Sequence, residues 1–139
     1  MASGETNLKT LLATMQPTLD DVPYVFVTTK KPLASLPLET LNPQLIAQEA
    51  EGLTLVTTQQ SASLAGLKEF TFPCRKISLT IHSSLEAVGL IAAIASRLKD
   101  HSISTNVVAG FYHDHIYVPE GRQEDAMRVL LELAEESKQ

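Results

Sequence analysis

A single cysteine, Cys74, stands in a chain of 139 residues. An internal disulfide framework is therefore excluded, and a reducing compartment is the expectation. Basic residues are also scarce: 11 Lys and Arg against 16 Asp and Glu give a formal net charge of -5 at pH 7. A nucleic-acid backbone or an anionic membrane surface is held by clustered Lys and Arg. The only basic pairs here are Lys30-Lys31 and Arg75-Lys76, so neither partner is expected. Long apolar runs are missing as well. A bilayer span takes about 20 apolar residues, whereas the most apolar run, Leu85 to Ala95, is shorter and contains Glu86 and Gly89. The opening residues MASGETNLKTLL carry neither a basic region nor a small-residue cleavage site; no secretion signal is expected, and a cytoplasmic location is. Nor is there a Gly-x-Ser-x-Gly elbow, a P-loop, a Gly-rich dinucleotide fingerprint or a Cys-His pair with a local signature. Catalysis and a bound cofactor are therefore not expected.

What is present is apolar content of 44%, enough for the core of one compact domain or of two small interleaved halves. Residues 5 to 15 predict a short helix with Leu8, Leu11 and Leu12 on one face. VPYVFVTT, Val22 to Thr29, predicts a strand from its β-branched and aromatic content. Pro32, Pro37 and Pro43 then exclude an ordinary helix and predict an extended connector. From Leu45 to Thr58, two apolar runs joined at Glu51-Gly52 predict a β-hairpin. A helix of one to two turns closed by Gly66 follows, then a strand at Lys68 to Phe72. Pro73 is expected to break or bend that strand before the next begins near Arg75.

The second half is more regular. Ile77, Leu79 and Ile81 alternate with Ser78, Thr80 and His82, the period of a strand with one buried face. Ser83 is then placed as a helix N-cap, and Glu86 three positions on completes a capping box; losing such a cap costs about 1 kcal/mol. A helix is expected from Ser84 to Asp100. Leu85, Ala87, Val88, Leu90, Ile91, Ala92, Ala93, Ile94 and Ala95 leave it almost no polar face, which predicts cover on two sides, by its own sheet and by a neighbouring helix or a second chain. Gly89, about 1 kcal/mol poorer than Ala inside a helix, has two readings: close approach of a backbone or ligand, or packing alone. Thr105 to Tyr112 and His115 to Val118 predict paired strands reversing at His113-Asp114. A last helix, Arg122 to Glu136, is expected to bury Met127, Leu130, Leu131 and Ala134, with Glu124 and Asp125 suiting the dipole of its first turn.

Strand, helix, strand, strand, helix is a split βαββαβ sandwich short of one strand. Val22 to Thr29 or Lys68 to Phe72 are the expected sources of that strand. The first half repeats the plan with its first helix reduced to the connector. The fold class is therefore α+β, two ferredoxin-like βαββαβ halves in tandem, residues 1–73 and 74–139, with antiparallel sheets and helices on one face.

LTIHSSLEAVGLIAAIASRL followed by ISTNVVAGFYHDHIYVP resembles the C-terminal half of a group of small bacterial ACT-domain proteins, and EAEGLTLV, Glu49 to Val56, resembles their N-terminal half. The similarity runs from Tyr24 to Leu133. It implies a tandem ACT-like fold of a class that senses amino acids or related small molecules without catalysis and works through subunit contacts, with a homodimer as the expected state. The resemblance also implies a ligand position, where the loop after the first strand of one module faces the second strand of a partner module. Carried onto this sequence, the loop is His82, Ser83, Ser84 and Leu85 with Val88 and Gly89, and the facing strand begins at Asn106 and Val107. Many ligand-binding ACT modules have an acidic residue and a Pro-Gly pair in this loop; here it reads His-Ser-Ser-Leu-Glu.

The chemistry of these residues suits an amino acid. Free backbone N–H groups around Ser84 to Glu86, with the Ser83 or Ser84 hydroxyl, match a carboxylate, and Glu86 or Asn106 matches an ammonium group. The plainer alternative is that the serines only cap, Glu86 only completes the box and Asn106 only starts a strand. His113, Asp114 and His115 are ligand types for zinc or iron, but a reversal between the two imidazoles separates them. Only His82 or His101 remain to complete a set, so a structural or surface role is expected and no metal. The expected function is binding of a small molecule, an amino acid by preference; the alternative is an assembly module that dimerises and binds nothing small.

Overall fold

The computed structural model describes residues 7–80 and 88–139. Its elements are α1 (Leu8–Thr14), β1 (Gln16–Thr29), a 3-10 turn (Leu33–Ser35), α2 (Leu38–Leu41), β2 (Leu45–Glu49), β3 (Gly52–Thr57), α3 (Gln59–Leu64), β4 (Phe70–Thr80), α4 (Leu90–Asp100), β5 (Asn106–Ala109), β6 (Asp114–Pro119) and α5 (Gln123–Glu136). No helix among the described residues is long and apolar enough to cross a membrane. The chain packs as two units, one of Val22–Cys74 and one of Met1–Asp21 with Arg75–Gln139. Strands β1 and β4 each run through a unit boundary, so each gives one end to either unit. The division expected from the sequence is at 73/74, whereas packing groups the described residues before Val22 with the segment that starts at Arg75.

In the unit Val22–Cys74 the element order is βαββαβ and the strands lie in the order β2-β3-β1-β4. Strand alternation turns Val25 and Val27 of β1 and Leu53 and Leu55 of β3 to one face. There they pack with Leu36, Leu41, Ala62 and Leu67 from the helical connections. The β2–β3 hairpin is present, in the register Glu49↔Gly52. Gly52 is needed because a Cβ there would lie 2.7 Å from the Thr29 carbonyl oxygen. The connector is not wholly extended: it holds the 3-10 turn and α2, because Pro37 sits at the N-cap, where the N–H it lacks has no helical partner to lose. The buried Thr57 hydroxyl donates to the Leu41 carbonyl and ties the end of α2 to β3. Thr58 caps α3 by accepting from Ser61 N–H.

Pro73 does not break the strand there. Phe70 to Thr80 form one strand, in which Phe72 has a left-handed φ of 56°. For a residue with a Cβ that backbone costs about 1–2 kcal/mol. Its ring meets that of Phe26 edge-on, with centroids 5.8 Å apart.

In the other unit the strands lie in the order β1-β4-β6-β5. The strand missing from the end of the second repeat is supplied by Gln16–Asp21, the start of β1. Neither expected source, Val22 to Thr29 nor Lys68 to Phe72, supplies it. Pro17 and the Asp20-Asp21 pair hide this stretch from β-propensity, which disfavours Pro and Asp. Polar contacts to β4 fasten it: Arg75 donates to the Asp20 carbonyl oxygen through Nε at 3.2 Å and Nη2 at 2.9 Å, and Lys76 pairs with the Asp20 carboxylate at 3.6 Å.

This unit's core joins Leu11, Leu12 and Met15, Ile77 and Leu79, Leu90, Ile94 and Leu98, Ile116 and Val118, and Ala126, Val129, Leu130, Leu133 and Ala134. The buried arc of α5 is turned from the expected one. Leu133 is 6% exposed while Leu131 is 53% exposed, because α5 meets α1, α4 and β6 together. Helix α4 runs from Leu90 to Asp100 and buries Leu90, Ile94 and Leu98 at intervals of four; the expected start at Ser84 lies outside the described residues. Ala92 is exposed. Ile91 and Ala93 pack partly buried against the same cluster, and α4 meets both neighbouring helices, α1 and α5, so the described part of α4 has helices as well as the sheet beside it, as expected; Leu85 and Ala87 lie outside the described residues. The capping box at Ser83 and Glu86 lies outside the described residues.

Candidate functional site

The strand-to-helix corner is built at the end of β4. Of the residues carried over to it, His82, Ser83, Ser84, Leu85 and Glu86 lie outside the described residues; Val88, Gly89, Asn106 and Val107 are described. Val88 is 84% exposed. Gly89 is the N-cap of α4 with φ of 92° and no side-chain cap. Among the described residues, a Cβ on it would meet the Leu8 Cδ2 methyl alone, at 3.4 Å. The positive φ by itself favours glycine here.

Asn106 and Val107 open β5, paired with Tyr117 and Ile116 of β6. They follow the C-terminal end of α4, whereas Val88 and Gly89 precede its start. Eleven helical residues span about 16 Å. One chain therefore does not bring the two halves of the carried-over site together. Strand β5 is the last strand in its unit's order, so its outer edge carries no strand of that unit.

The β5–β6 hairpin loop lies near the end of β4, since β6 is beside β4 and its second residue, His115, meets Ser78 two residues before the end of β4. The loop spans residues 110 to 113 between Ala109 and Asp114, which pair. Gly110 N–H donates to the His113 carbonyl at 2.9 Å, and a Cβ at Gly110 would lie 2.8 Å from that oxygen, so the tight loop selects glycine. Phe111 and Tyr112 project from it, 71% and 77% exposed, with ring centroids 5.0 Å apart at 69°. Sequence reasoning placed both in a strand and missed them. The available signal was Gly110 directly ahead of them, a turn residue inside an assumed strand.

On β6, His115 Nδ1 lies 2.8 Å from Ser78 Oγ of β4. Burial, followed by Lys76 and His113, holds the His115 pKa below its ordinary value, and Asp114 counters this in part. Burial pushes the Asp114 carboxyl up, with His115 and His113 pulling the other way. The neutral imidazole is thus favoured against a serine hydroxyl, an arrangement that orients two side chains. Among the described residues no group of three or more His, Cys, Asp or Glu is placed to hold a metal ion. Cys74 is buried, its Sγ 3.5 Å from the Tyr24 carbonyl oxygen, which is the environment of a packing cysteine.

Two family models, both described as ACT domain, match residues 3–75 and 71–132. None of the curated proteins searched matches the chain. A solved structure of a protein of unknown function from Vibrio cholerae, called a possible transport protein, is 43% identical, with a TM-score of 0.81 over 91% of this chain and 95% of that one. The ligand-free regulatory subunit of aspartate kinase from Thermus thermophilus is 12% identical, with a TM-score of 0.62 over 86% of this chain and 96% of that one. Aspartate kinase of Clostridium acetobutylicum is 10% identical, with a TM-score of 0.61 over 88% of this chain and 34% of that one. The two kinase likenesses are likenesses of fold.

Proposed function

Because this chain belongs to the ACT-domain family, we propose that it is a non-catalytic regulatory protein that binds a small molecule, an amino acid by preference, at the strand-to-helix corner of its second repeat. The observation that carries the reading is the separation found at α4: the corner at Val88 and Gly89 and the strand start at Asn106 and Val107 sit at opposite ends of one helix. A site made of both takes the corner from one copy and β5 from another, and β5 has an outer edge to present. Binding would then be coupled to subunit contact, as a sensor requires. The amino acid's carboxylate would meet the chain around Ser83, Ser84 and Glu86, and its ammonium group Glu86 or the second copy's Asn106. The same reading makes the protein a cytoplasmic homodimer with no nucleic-acid or membrane partner.

A thermal-shift panel of the common amino acids and nucleotides on the purified chain, with sedimentation of the same samples, tests this. A ligand at a hundred times its Kd stabilises by about 2.7 kcal/mol, a melting shift of several degrees for a chain of this size. The expected result is one such shift from an amino acid, in a dimer. A dimer that shifts with nothing in the panel selects the second reading, an assembly module without a small ligand, which the exposed pair Phe111 and Tyr112 favours. A monomer that shifts with nothing refutes both.

A further inference from the structure

We propose that the face of the sheet opposite the core in the unit Val22–Cys74 carries a binding pocket for a small organic ammonium ion, apart from the corner just described. In this unit the core takes Val25, Val27, Leu53 and Leu55. Alternation then turns Phe26 and Thr28 of β1 and Thr54 of β3 to the opposite face, where the register sets Thr28 directly beside Thr54. A pocket of about 340 Å³ opens there, lined by Phe26, Thr28, Thr54, Glu69, Phe70 and Thr71. That volume is at the small end of the range that encloses small-molecule ligands.

The lining has one kind of charge. Glu69 supplies a carboxylate, and no Lys or Arg side chain contributes to the wall. The backbone at Glu69 is fixed to β1 by the Thr28 N–H, which donates to the Glu69 carbonyl at 3.0 Å. The Thr54 hydroxyl donates to the Glu49 carboxylate. The apolar part of the lining is Phe26, Val27 and Phe70, and Phe72 braces Phe26 edge-on. The left-handed backbone at Phe72 is the strained feature beside it, and such outliers persist where the surrounding structure holds them in place. Phenyl faces with a carboxylate attract an alkylammonium group and give a neutral isostere of the same shape only its apolar contact. The carboxylate of a free amino acid finds no cation in this lining and would face Glu69, so the favoured ligand carries a positive charge without an adjoining acid.

The test is titration of the isotopically labelled full chain with tetramethylammonium and choline, followed by NMR, against the neutral isostere 3,3-dimethyl-1-butanol. Saturable shifts are expected at Thr28, Thr54, Glu69 and Thr71, with the neutral compound about tenfold weaker. Glu69→Gln and Phe70→Leu, both at exposed positions, should each weaken choline severalfold while leaving the melting temperature unchanged. Equal binding of the neutral isostere would overturn the proposal, as would shifts confined to residues outside the pocket or an unaltered Kd in both variants. Tighter binding of a trimethyllysine peptide than of choline would overturn the assignment to a free small molecule. Amino-acid binding at the corner is read by a different panel at different residues, so either reading can fail alone.

Discussion

Alanine at position 89 separates two accounts of why a glycine opens α4. At a negative φ, Gly→Ala stabilises by about 0.4–1 kcal/mol, because it narrows the unfolded ensemble. Here φ is 92°, where a Cβ approaches the following carbonyl oxygen at a cost of about 1–2 kcal/mol. Tertiary contact adds little: the new Cβ would lie 3.4 Å from the flexible Leu8 Cδ2, an ordinary van der Waals distance. The two backbone terms oppose, and the net expectation for Gly89→Ala is a loss of about 1 kcal/mol, or about 4 °C in Tm for a chain of this length. Two further glycines calibrate the result. Gly66, at φ 76° with open space around it, should lose as much; Gly52, whose Cβ would sit 2.7 Å from the Thr29 carbonyl oxygen, should lose more. Urea and thermal unfolding followed by circular dichroism read all three. A Gly89→Ala protein as stable as the parent or more so would refute the backbone account and restore close approach of a ligand or second copy as the reason for the glycine.

The buried arc of α5 is tested by a pair of substitutions: Leu133→Ala should cost about 2–4 kcal/mol and Leu131→Ala no more than about 0.5 kcal/mol in urea midpoints, and the reverse order would put the arc where the sequence pattern had it. For His115, a folded pKa held below 6.5 means that the unfolded chain takes up a proton first. Its contribution to stability is then fully present above about pH 6.5 and is lost as the pH falls from there through the lowered folded value. Asp114, raised above 3.8, works in the opposite sense further down, gaining stability as it protonates. His115→Gln should therefore flatten the stability profile between about pH 7 and about pH 5; an unchanged slope would remove His115 as its source.

Much of the second repeat was legible because it follows simple periods. Ile77 and Leu79 alternate and are buried, and the helix Gln123–Glu136 was placed to within a residue at its start. The first repeat was legible at Gly52 and Gly66, where turn chemistry is local. What misled were features whose meaning depends on neighbours. Pro73 looks like a strand terminator, yet the strand continues through it with Phe72 at a left-handed φ. The apolar richness of α4 does not say which residues go inward: Leu90, Ile94 and Leu98 are buried, Ile91 and Ala93 partly so, and Ala92 is exposed. Phe111 and Tyr112 look like strand residues, yet Gly110 has already turned the chain. Of the carried-over site, Val88 and Gly89 and then Asn106 and Val107 were named together, but the helix between them keeps them apart in one chain.

The sequence by itself determined which short stretches are helix and strand and that they form two βαββαβ repeats, since hydrophobic period and turn residues act over a few residues at a time. Only the tertiary structure decided that Gln16–Asp21 completes the second repeat's sheet, that α5 turns Leu133 inward and Leu131 outward, and that phenyl rings from two strands share a pocket with Glu69. Those outcomes rest on pairings between residues far apart in the chain. Their free energy comes from surfaces that exist only once the strands have met, so no local pattern carries it.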